Sequence, residues 1–251
     1  MWDLRRSFKW SRSMAEELNH PSHSLYDFGP LAQEYDQWYE TQAGQVHDRV
    51  QKADVLRVLR RPRLGDRLLD VGCGTGHWSR FFASVGYEVY GVDISPEMIA
   101  VARSAAAGIC IFEVADVYQL PFEDASFDVV AAMATLEFLP DAATAVTEMV
   151  RCVKLDGTLL LGTLNRLSPL NQRRLAGGEQ PYVSGRLFTP TELRALLSPW
   201  GRVRMVASSL RGSEEQDMSP QNTGESLSNA RGNLQGAFIV AEVQRCLSRQ
   251  K

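Results

Sequence analysis

Short apolar runs alternate with amphipathic stretches over most of the chain, and this alternation predicts strands separated by helices. Seven runs have the length and composition of strands: Arg67–Val71, Tyr87–Val92, Ile109–Val114, Phe127–Met133, Gly157–Thr163, Val203–Ala207 and Ala237–Val243. Between the first two, apolar residues recur at the spacing of one helix face: Trp78, Phe81, Phe82 and Val85. Strands that alternate with helices favour a parallel sheet covered on both faces, so the predicted fold class is α/β.

Three predicted helices begin with recognisable capping residues. Ser95 precedes Pro96, and proline is favoured at the first helical position. Asp141 has the position of an N-cap. Thr189 and Glu192 have the spacing of a capping box.

Three stretches fall outside the strand–helix alternation. Residues 1–45 are aromatic and polar with weak periodicity, and a helix is predicted over residues 46–60. Residues 165–188 are predicted to form a long loop after the fifth strand. Residues 208–236 are rich in Ser, Gly, Asn, Gln and Glu, which predicts a mobile insertion between the last two strands. The folded domain is therefore expected over residues 46–251.

Composition and charge are those of a soluble globular protein. Hydrophobic residues make up 44% and charged residues 23% of the 251 residues, and the formal net charge is −3. This charge gives no overall attraction for nucleic acid, and no apolar run approaches the ~20 residues that span a bilayer. The N-terminus lacks the apolar stretch of a signal peptide, so a cytoplasmic protein is expected. The cysteines are too scattered to predict a disulfide framework or a metal site: Cys73, Cys110, Cys152 and Cys246.

The strongest functional signal is a glycine-rich turn after the first predicted strand, where the segment from Asp70 to Gly76 reads DVGCGTG. Glycines there allow positive φ angles and a close approach of the backbone to a ligand. A P-loop would end in Gly-Lys-Ser or Gly-Lys-Thr, and a dinucleotide fingerprint would read G-x-G-x-x-G. Here His77 occupies the place of that last glycine. S-adenosylmethionine has no phosphate and needs neither feature, although a simple tight turn would also account for the glycines.

Asp93 is a candidate partner for a ribose. It ends the second predicted strand, 17 residues after Gly76. A carboxylate at this place can accept strong hydrogen bonds from both ribose hydroxyls. A strand-end aspartate can also cap a helix, but Ser95 already fits that role, so the ribose interpretation is favoured.

Together these motifs resemble the Rossmann-like, S-adenosylmethionine-dependent methyltransferases, particularly the branch of the ubiquinone and menaquinone C-methyltransferases. DVGCGTG is similar to the first motif of the family. Other stretches are similar to later parts of its pattern: GVDIS at 91–95, ADV at 115–117, LPF at 120–122, SFDVV at 126–130 and LDGTL at 155–159. The last of these departs from the family, in which proline or lysine-proline-glycine is more usual. The resemblance covers residues 65–165, approximately.

The resemblance implies a doubly wound, seven-stranded, mostly parallel sheet in the order 3-2-1-4-5-7-6, with S-adenosylmethionine at its carboxyl edge. It implies that Ile94 packs on the adenine, that Asp116 accepts from the adenine amino group and that the Val117 amide bonds a ring nitrogen. Met98 would pack below the adenine, although it also fits a helix core. The expected cofactor-binding residues are Tyr35, Asp70, Gly72, Cys73, Gly74, Gly76, Asp93, Ile94, Met98, Asp116, Val117 and Ala134.

The methyl acceptor is expected beyond the fourth strand, at residues 134–138. Glu137 is the titratable residue of that stretch and the candidate catalytic residue: it could act as a base, bind the acceptor or simply end a helix. A base is needed only if the acceptor must lose a proton. Many relatives carry histidine near this point, so its absence here leaves the base open. Asn165 ends the fifth strand and could also face the acceptor, and no metal is expected.

The segment YDQWY at residues 35–39 resembles the lid that precedes the first strand in these methyltransferases. Tyr35 or Trp38 could cover the sulfonium through a cation–π contact of ~0.5–2 kcal/mol, or could merely pin the segment to the core. Residues 1–45 are therefore expected to form a lid, joined over the acceptor by residues 165–188. Several arginines of that loop hint at an anionic acceptor, although a solvated loop face explains them too: Arg166, Arg173, Arg174 and Arg186.

Two other functions stay open. A nicotinamide-dependent oxidoreductase is disfavoured by the glycine spacing. A cofactor-binding scaffold without catalysis, for example the partner of another methyltransferase, is excluded by no sequence feature. The expected function is methyl transfer to a small-molecule acceptor, and the sequence does not indicate an oligomeric state.

Overall fold

The computed structural model describes residues 24–106, 108–208 and 234–245. The strands are β1 (Arg67–Val71), β2 (Glu88–Asp93), β3 (Ile111–Val114), β4 (Phe127–Met133), β5 (Val153–Leu164), β6 (Gly201–Val206) and β7 (Phe238–Arg245). The helices are α1 (Gln37–Glu40), α2 (Gln42–Val58), α3 (His77–Val85), α4 (Pro96–Ala106), α5 (Ala142–Cys152), α6 (Pro169–Ala176) and α7 (Pro190–Leu197).

Within the described residues the strands form one sheet in the order β3-β2-β1-β4-β5-β7-β6, as predicted. β1 pairs in parallel with β2 and β4, and β3 and β5 extend the parallel part on either side. β7 runs antiparallel to both β5 and β6. The carboxyl ends of β1 to β5 therefore meet at one edge of the sheet.

Successive residues of β1 and β4 feed two apolar layers, one on each face of the sheet. Leu68 and Val129 pack in a cluster with Phe82 of α3. Leu69 and Val130 belong to the opposite cluster, which includes residues of α5 and α7. This alternation follows from the two-residue period of a strand, and it explains why both strands read as continuous apolar runs.

The predicted caps are confirmed. Asp141 accepts from the amides of Ala143 and Thr144, both at 3.1 Å. Thr189 and Glu192 form the reciprocal bonds of a capping box at 3.1 and 2.8 Å.

Several predictions need correction. The helix predicted over residues 46–60 is α2, which begins at Gln42 and ends at Val58. β5 begins at Val153 rather than Gly157, because Asp156 takes a left-handed φ of 62° and the strand continues through the LDG turn. Residues 165–188 are not a structureless loop, since they contain α6. The buried Asn171 anchors that helix by donating to the carbonyl oxygens of Asn165 and Ala237 at 2.9 and 2.8 Å.

Much of the predicted lid and most of the predicted insertion, residues 1–23 and 209–233, lie outside the described residues. The chain on either side of the second gap is firmly held. The Ser208 amide donates to Asp54 at 2.7 Å, and the Asn165 side-chain amide donates to the carbonyl oxygens of Leu234 and Gly236 at 2.9 and 2.8 Å. In the part of the chain that the structure describes, no helix has both the length and the apolar character of a membrane span.

Candidate functional site

A cavity of about 310 Å³ lies at the carboxyl edge of the sheet, at the low end of the size range of small-molecule pockets. The ends of β1, β2 and β4 form its floor, and the N-terminal segment before α1 forms part of its wall. Most of the residues that the sequence predicted for the cofactor line it: Tyr35, Asp70, Gly72, Cys73, Gly74, Asp93, Ile94, Met98, Asp116, Val117 and Ala134. Gly76 and Glu137 do not line it.

The glycine turn brings the backbone to the cavity wall. The amides of Gly72 and Cys73 both donate to the Val92 carbonyl, at 2.8 and 2.9 Å, so the turn is folded over the end of β2. Gly74 has a φ of 52°, and a Cβ there would meet only the Met98 sulfur at 3.9 Å. This glycine therefore leaves open space that a side chain would fill.

Gly76 has a different role from the one predicted. It precedes α3 with a left-handed φ of 77°, and a Cβ there would lie 2.8 Å from the Phe112 ring. Its absent side chain makes room for core packing and for the start of the helix rather than for a ligand.

Asp93 ties the glycine turn to the end of β2. Its two carboxylate oxygens accept from the amides of Gly74 and Ser95, each at 2.9 Å. Burial raises the pKa of Asp93, against the opposing effect of these hydrogen bonds. Each oxygen keeps a second lone pair, so the carboxylate can also accept from a ligand hydroxyl.

Asp70 is the buried polar group most in need of a partner. Its side chain is only 1% exposed, and Oδ2 accepts from the Ser79 hydroxyl at 2.6 Å. Oδ1 has no hydrogen-bond partner among the described residues. Burial raises the pKa of Asp70 to about 7. An unpartnered buried oxygen is costly, and in a cavity wall it indicates the position of a ligand donor.

The predicted adenine side is also assembled. Ile94, Met98, Asp116 and Val117 line the same cavity as Asp93. Met98 is buried, and its amide donates to the Ser95 hydroxyl at 3.2 Å, which confirms Ser95 as the helix cap. Ile94 is 36% exposed, so an apolar surface is available for a flat ring.

The N-terminal segment supplies aromatic rings to the wall: Tyr26, Phe28, Tyr35 and Tyr39. Burial, followed by the nearby charge of Glu137, raises the pKa of Tyr35, so its hydroxyl stays protonated. Phe28 contacts Phe138 edge to face, with ring centroids 4.9 Å apart. Trp38, the other sequence candidate for the sulfonium cover, does not line the cavity.

Asp36 joins this segment to the glycine turn, an interaction that the sequence did not reveal. One of its oxygens accepts from the Thr75 hydroxyl at 2.5 Å, and the other accepts from Arg80 at 3.0 Å. Arg80 also donates to the Thr75 carbonyl at 2.8 Å. The partners are up to 44 residues apart in the chain, so no local motif could have shown the contact.

A second contact of this kind involves His77, at the start of α3. Its Nε2 lies 2.7 Å from the Asp48 carboxylate of α2, and the Tyr39 ring stacks on the imidazole with centroids 3.6 Å apart. Burial alone would raise the pKa of Asp48, but hydrogen bonds from His77 and Lys52 lower it. His77 also lines the cavity.

Glu137 is not placed to touch an acceptor. Its side chain is fully buried, and its oxygens accept from the Leu164 amide and the Thr163 hydroxyl, each at 3.0 Å. Burial raises the pKa of Glu137 to about 7. Asn165 is likewise buried in hydrogen bonds with the backbone. The geometry therefore favours structural roles for both residues.

No residue of the range 165–188 lines the cavity, so the lining gives no support to the predicted loop over the acceptor. Its arginines face other partners. Arg166 forms an ion pair with Glu192 at 2.8 Å, and Arg174 lies 4.5 Å from the Tyr182 ring centroid. The hint of an anionic acceptor therefore has no support in the described lining.

Comparisons with known proteins agree with this geometry. Residues 69–161 match a family model described as a methyltransferase domain. The ubiquinone biosynthesis O-methyltransferase of Xanthomonas axonopodis pv. citri is 38% identical over 119 residues, which cover 46% of this chain and 50% of that protein. The malonyl-(acyl-carrier protein) O-methyltransferase of Serratia marcescens is 29% identical over 206 residues, which cover 73% of this chain and 78% of that protein.

A solved structure from Thermotoga maritima, described as a SAM-dependent methyltransferase and possible histamine N-methyltransferase, superposes with a TM-score of 0.69. The two chains are 24% identical, and the match covers 86% of this chain and 97% of the other. This likeness shows the fold. The chain spans about half the length of the curated relatives that it matches first.

Proposed function

We propose that this chain, whose residues 69–161 match a family model described as a methyltransferase domain, is an S-adenosylmethionine-dependent methyltransferase that transfers the methyl group of that cofactor to a small molecule. One observation carries the proposal. The glycine turn, Asp93 and Asp70 line a single cavity, and the buried Oδ1 of Asp70 has no hydrogen-bond partner among the described residues. That combination suits a ligand with a ribose and an amino group and without a phosphate.

The residues that would hold the cofactor follow from their chemistry. Asp70 would accept from the methionine ammonium, and this bond would satisfy its unpartnered oxygen. Asp93 would accept from the ribose hydroxyls. Asp116 would accept from the adenine amino group, while Ile94 and Met98 would enclose the ring.

When bound, the cofactor supplies a methyl group on a sulfonium, from which the neutral thioether of S-adenosylhomocysteine is a good leaving group. The protein then has to align the acceptor with this methyl group and exclude water. Residues 1–45 would act as a lid, of which residues 24–45 are described. Tyr35 and Phe28 contribute to the cavity wall, and Asp36 fastens the segment to the glycine turn. A neutral Tyr35 ring would face the sulfonium through a cation–π contact.

The acceptor proposed here is an uncharged, aromatic hydroxyl compound rather than a carboxylate. As its oxygen takes the methyl group and the sulfur keeps the electron pair of the broken bond, the hydroxyl proton would pass to one of the carboxylates that line the cavity. No lysine or arginine lines the described cavity, whereas several carboxylates and aromatic rings do. The carboxylate of an acceptor, added to that of the cofactor, would therefore enter the cavity without a lysine or arginine to pair with it. The curated relatives described above are named as O-methyltransferases, which favours oxygen as the accepting atom over the carbon suggested by the motifs.

We further propose a cytoplasmic enzyme that acts without nucleic acid. A net charge of −3 and a cavity without lysine or arginine in its described lining support the second part. The alternative function is a protein that binds the cofactor without catalysis, and the experiment must distinguish it from a methyltransferase.

Two measurements test the function. Calorimetry should show binding of S-adenosylhomocysteine and no comparable response to NAD. Incubation with S-adenosylmethionine and panels of phenols, carboxylic acids and amines should then yield S-adenosylhomocysteine with phenols above all. Binding without turnover on any panel would favour the scaffold, and preferential methylation of carboxylic acids would contradict the proposed acceptor class.

A further inference from the structure

The methionine portion of S-adenosylmethionine ends in an ammonium and a carboxylate. The residues proposed above include a partner for the ammonium alone. Asp70 suits the ammonium, whereas a partner for the carboxylate has not been assigned. The following inference rests on the proposed function and concerns that carboxylate.

His77 is the single basic side chain in the described lining of the cavity. Apart from tyrosines and Cys73, the other ionisable side chains of this lining are carboxyl groups: Asp27, Asp70, Asp93, Glu97 and Asp116. Arg80, the nearest arginine along the chain, does not line the cavity, and its guanidinium is occupied by Asp36 and the Thr75 carbonyl. A bound carboxylate therefore has His77 as its cationic candidate.

The backbone around His77 also favours an anion. His77 is the first residue of α3, a helix of nine residues that begins directly after the glycine turn. The first amides of a helix have no partner within it, and the helix dipole adds partial positive charge at that end. Side chain and backbone thus offer donors at the same place.

The unpartnered carboxylate oxygen lies beside the same helical turn. Ser79, two residues after His77, donates to Oδ2 of Asp70 at 2.6 Å, which leaves Oδ1 of Asp70 for a ligand. A site for an ammonium therefore adjoins the start of α3, as the two charges of one amino acid require. This observation points to a ligand independently of the helix terminus.

Asp48 orients the imidazole. An ionised carboxylate can only accept, so Nε2 of His77 carries the proton of their 2.7 Å contact. Nδ1 of His77 has no hydrogen bond among the described residues. It can donate to a ligand carboxylate only when the ring carries both protons, because in the neutral ring with the proton on Nε2 it is an acceptor. Tyr39 stacks on the ring at 3.6 Å and fixes its plane.

We propose that His77, together with the first amides of α3, binds the methionine carboxylate of S-adenosylmethionine, and that Asp48 is a positioning residue for the imidazole. Asp48 itself is balanced by Lys52, whose Nζ lies 2.6 Å from its second oxygen, so it does not repel the bound anion with a full free charge.

The test compares two ligands that differ in the amino-acid end. Calorimetry would measure the affinities of S-adenosylhomocysteine and of 5′-methylthioadenosine, which lacks the carboxylate and the ammonium, for the intact protein and for His77→Gln. We expect the variant to weaken S-adenosylhomocysteine by about tenfold, as for a lost hydrogen bond to a charged group, and 5′-methylthioadenosine by less than about twofold. Asp48→Asn should show the same selectivity with a smaller loss.

His47→Gln is the matched control, because it changes a neighbouring histidine that does not line the cavity. It should leave both affinities within about twofold of the parent. Equal losses for both ligands in His77→Gln, or unchanged binding with a reduced turnover number, would overturn the inference, since they would indicate a structural residue or a base. A parent protein that binds neither ligand would overturn the proposed function as well.

Discussion

The carboxyl ends of β1 and β4 each hold a buried carboxylate, and the two differ in how their oxygens are used. Asp70 and Glu137 are 1% and 0% exposed, and burial raises the pKa of each to about 7. Both oxygens of Glu137 accept hydrogen bonds from β5. One oxygen of Asp70 accepts from α3, and the other has no partner among the described residues.

The number of hydrogen-bonded oxygens distinguishes a carboxylate that can bind a ligand from one with a structural role. Burial and pKa do not distinguish them, because they are alike in the two residues. A fully satisfied carboxylate holds neighbouring backbone segments together and gains nothing from a ligand. A half-satisfied carboxylate in a cavity wall carries a cost that either a proton or a bound donor reduces. The contrast favours a binding role for the carboxylate in β1 and a structural role for the one that follows β4.

The largest effect is expected from Glu137→Ala. The substitution leaves the Thr163 hydroxyl and the Leu164 amide buried without an acceptor, so the free energy of unfolding should fall by about 2–5 kcal/mol. Chemical denaturation measures this loss, and calorimetry at a temperature where the variant is folded should show nearly unchanged affinity for S-adenosylhomocysteine. A large loss of affinity with normal stability would return Glu137 to the binding site.

The opposite pattern is expected from Asp93→Ala. The affinity for S-adenosylhomocysteine should fall by about 1.5–3 kcal/mol, because a charged acceptor for the ribose hydroxyls is removed. Adenine alone should bind the variant and the parent almost equally, which separates ribose recognition from a collapsed site. An equal loss for adenine would mean that Asp93 acts by holding the Gly74 and Ser95 amides.

The cofactor side was predictable because its signals are local. The glycine turn and Asp93 each follow a strand that the apolar pattern identifies, and the sheet then brings them together. The capping box at Thr189 and Glu192 was predictable for the same reason. The sheet order came instead from the resemblance to the methyltransferase family. The N-terminal anchor was not, because Asp36 and Asp48 meet their partners 44 and 29 residues further along the chain.

The prediction of Glu137 as the catalytic residue failed for a related reason. A carboxylate after a strand looks alike in sequence whether it faces a cavity or the next strand. Only the packed structure shows that Thr163 and Leu164 consume both oxygens of Glu137. Likewise, the polar sequence of α6 gives a weak apolar stripe, and its position depends on the buried amide of Asn171.

A smaller effect should appear as linked proton release. Because the pKa of Asp70 is about 7 in the free protein, the carboxyl is largely protonated at pH 6. A ligand ammonium beside it favours the charged form, so binding lowers its pKa and releases its proton. Calorimetry of S-adenosylhomocysteine binding at pH 6, in buffers of different ionisation enthalpy, measures this release.

Two matched variants assign that proton. Asp70→Asn should release fewer protons than the parent, by up to about one, whereas Glu137→Gln should match the parent because Glu137 has no ligand beside it. The sign follows from the raised pKa: cofactor binding through Asp70 is favoured as pH rises through 7 and disfavoured below it. Equal proton release in Asp70→Asn and the parent would show that the ammonium lies elsewhere.

The smallest effect is expected from Asp36→Asn, which weakens the anchor between the N-terminal segment and the glycine turn. Asp36 and Arg80 are 36% and 27% exposed, so solvent screens their ion pair and limits its contribution to about 0.2–1 kcal/mol. Glu34→Gln is the matched control, since it removes the same charge from an exposed position of the same segment. Affinity for S-adenosylhomocysteine should fall about two- to fivefold in Asp36→Asn and stay at the parent value in Glu34→Gln.

Limited proteolysis should cleave the segment faster in Asp36→Asn alone, and bound cofactor should slow that cleavage, because a closed segment and a filled cavity stabilise each other. If both variants behave alike, the losses come from the removed negative charge and not from the contacts of Asp36 with Thr75 and Arg80. The aromatic contacts of the segment would then hold it against the cavity.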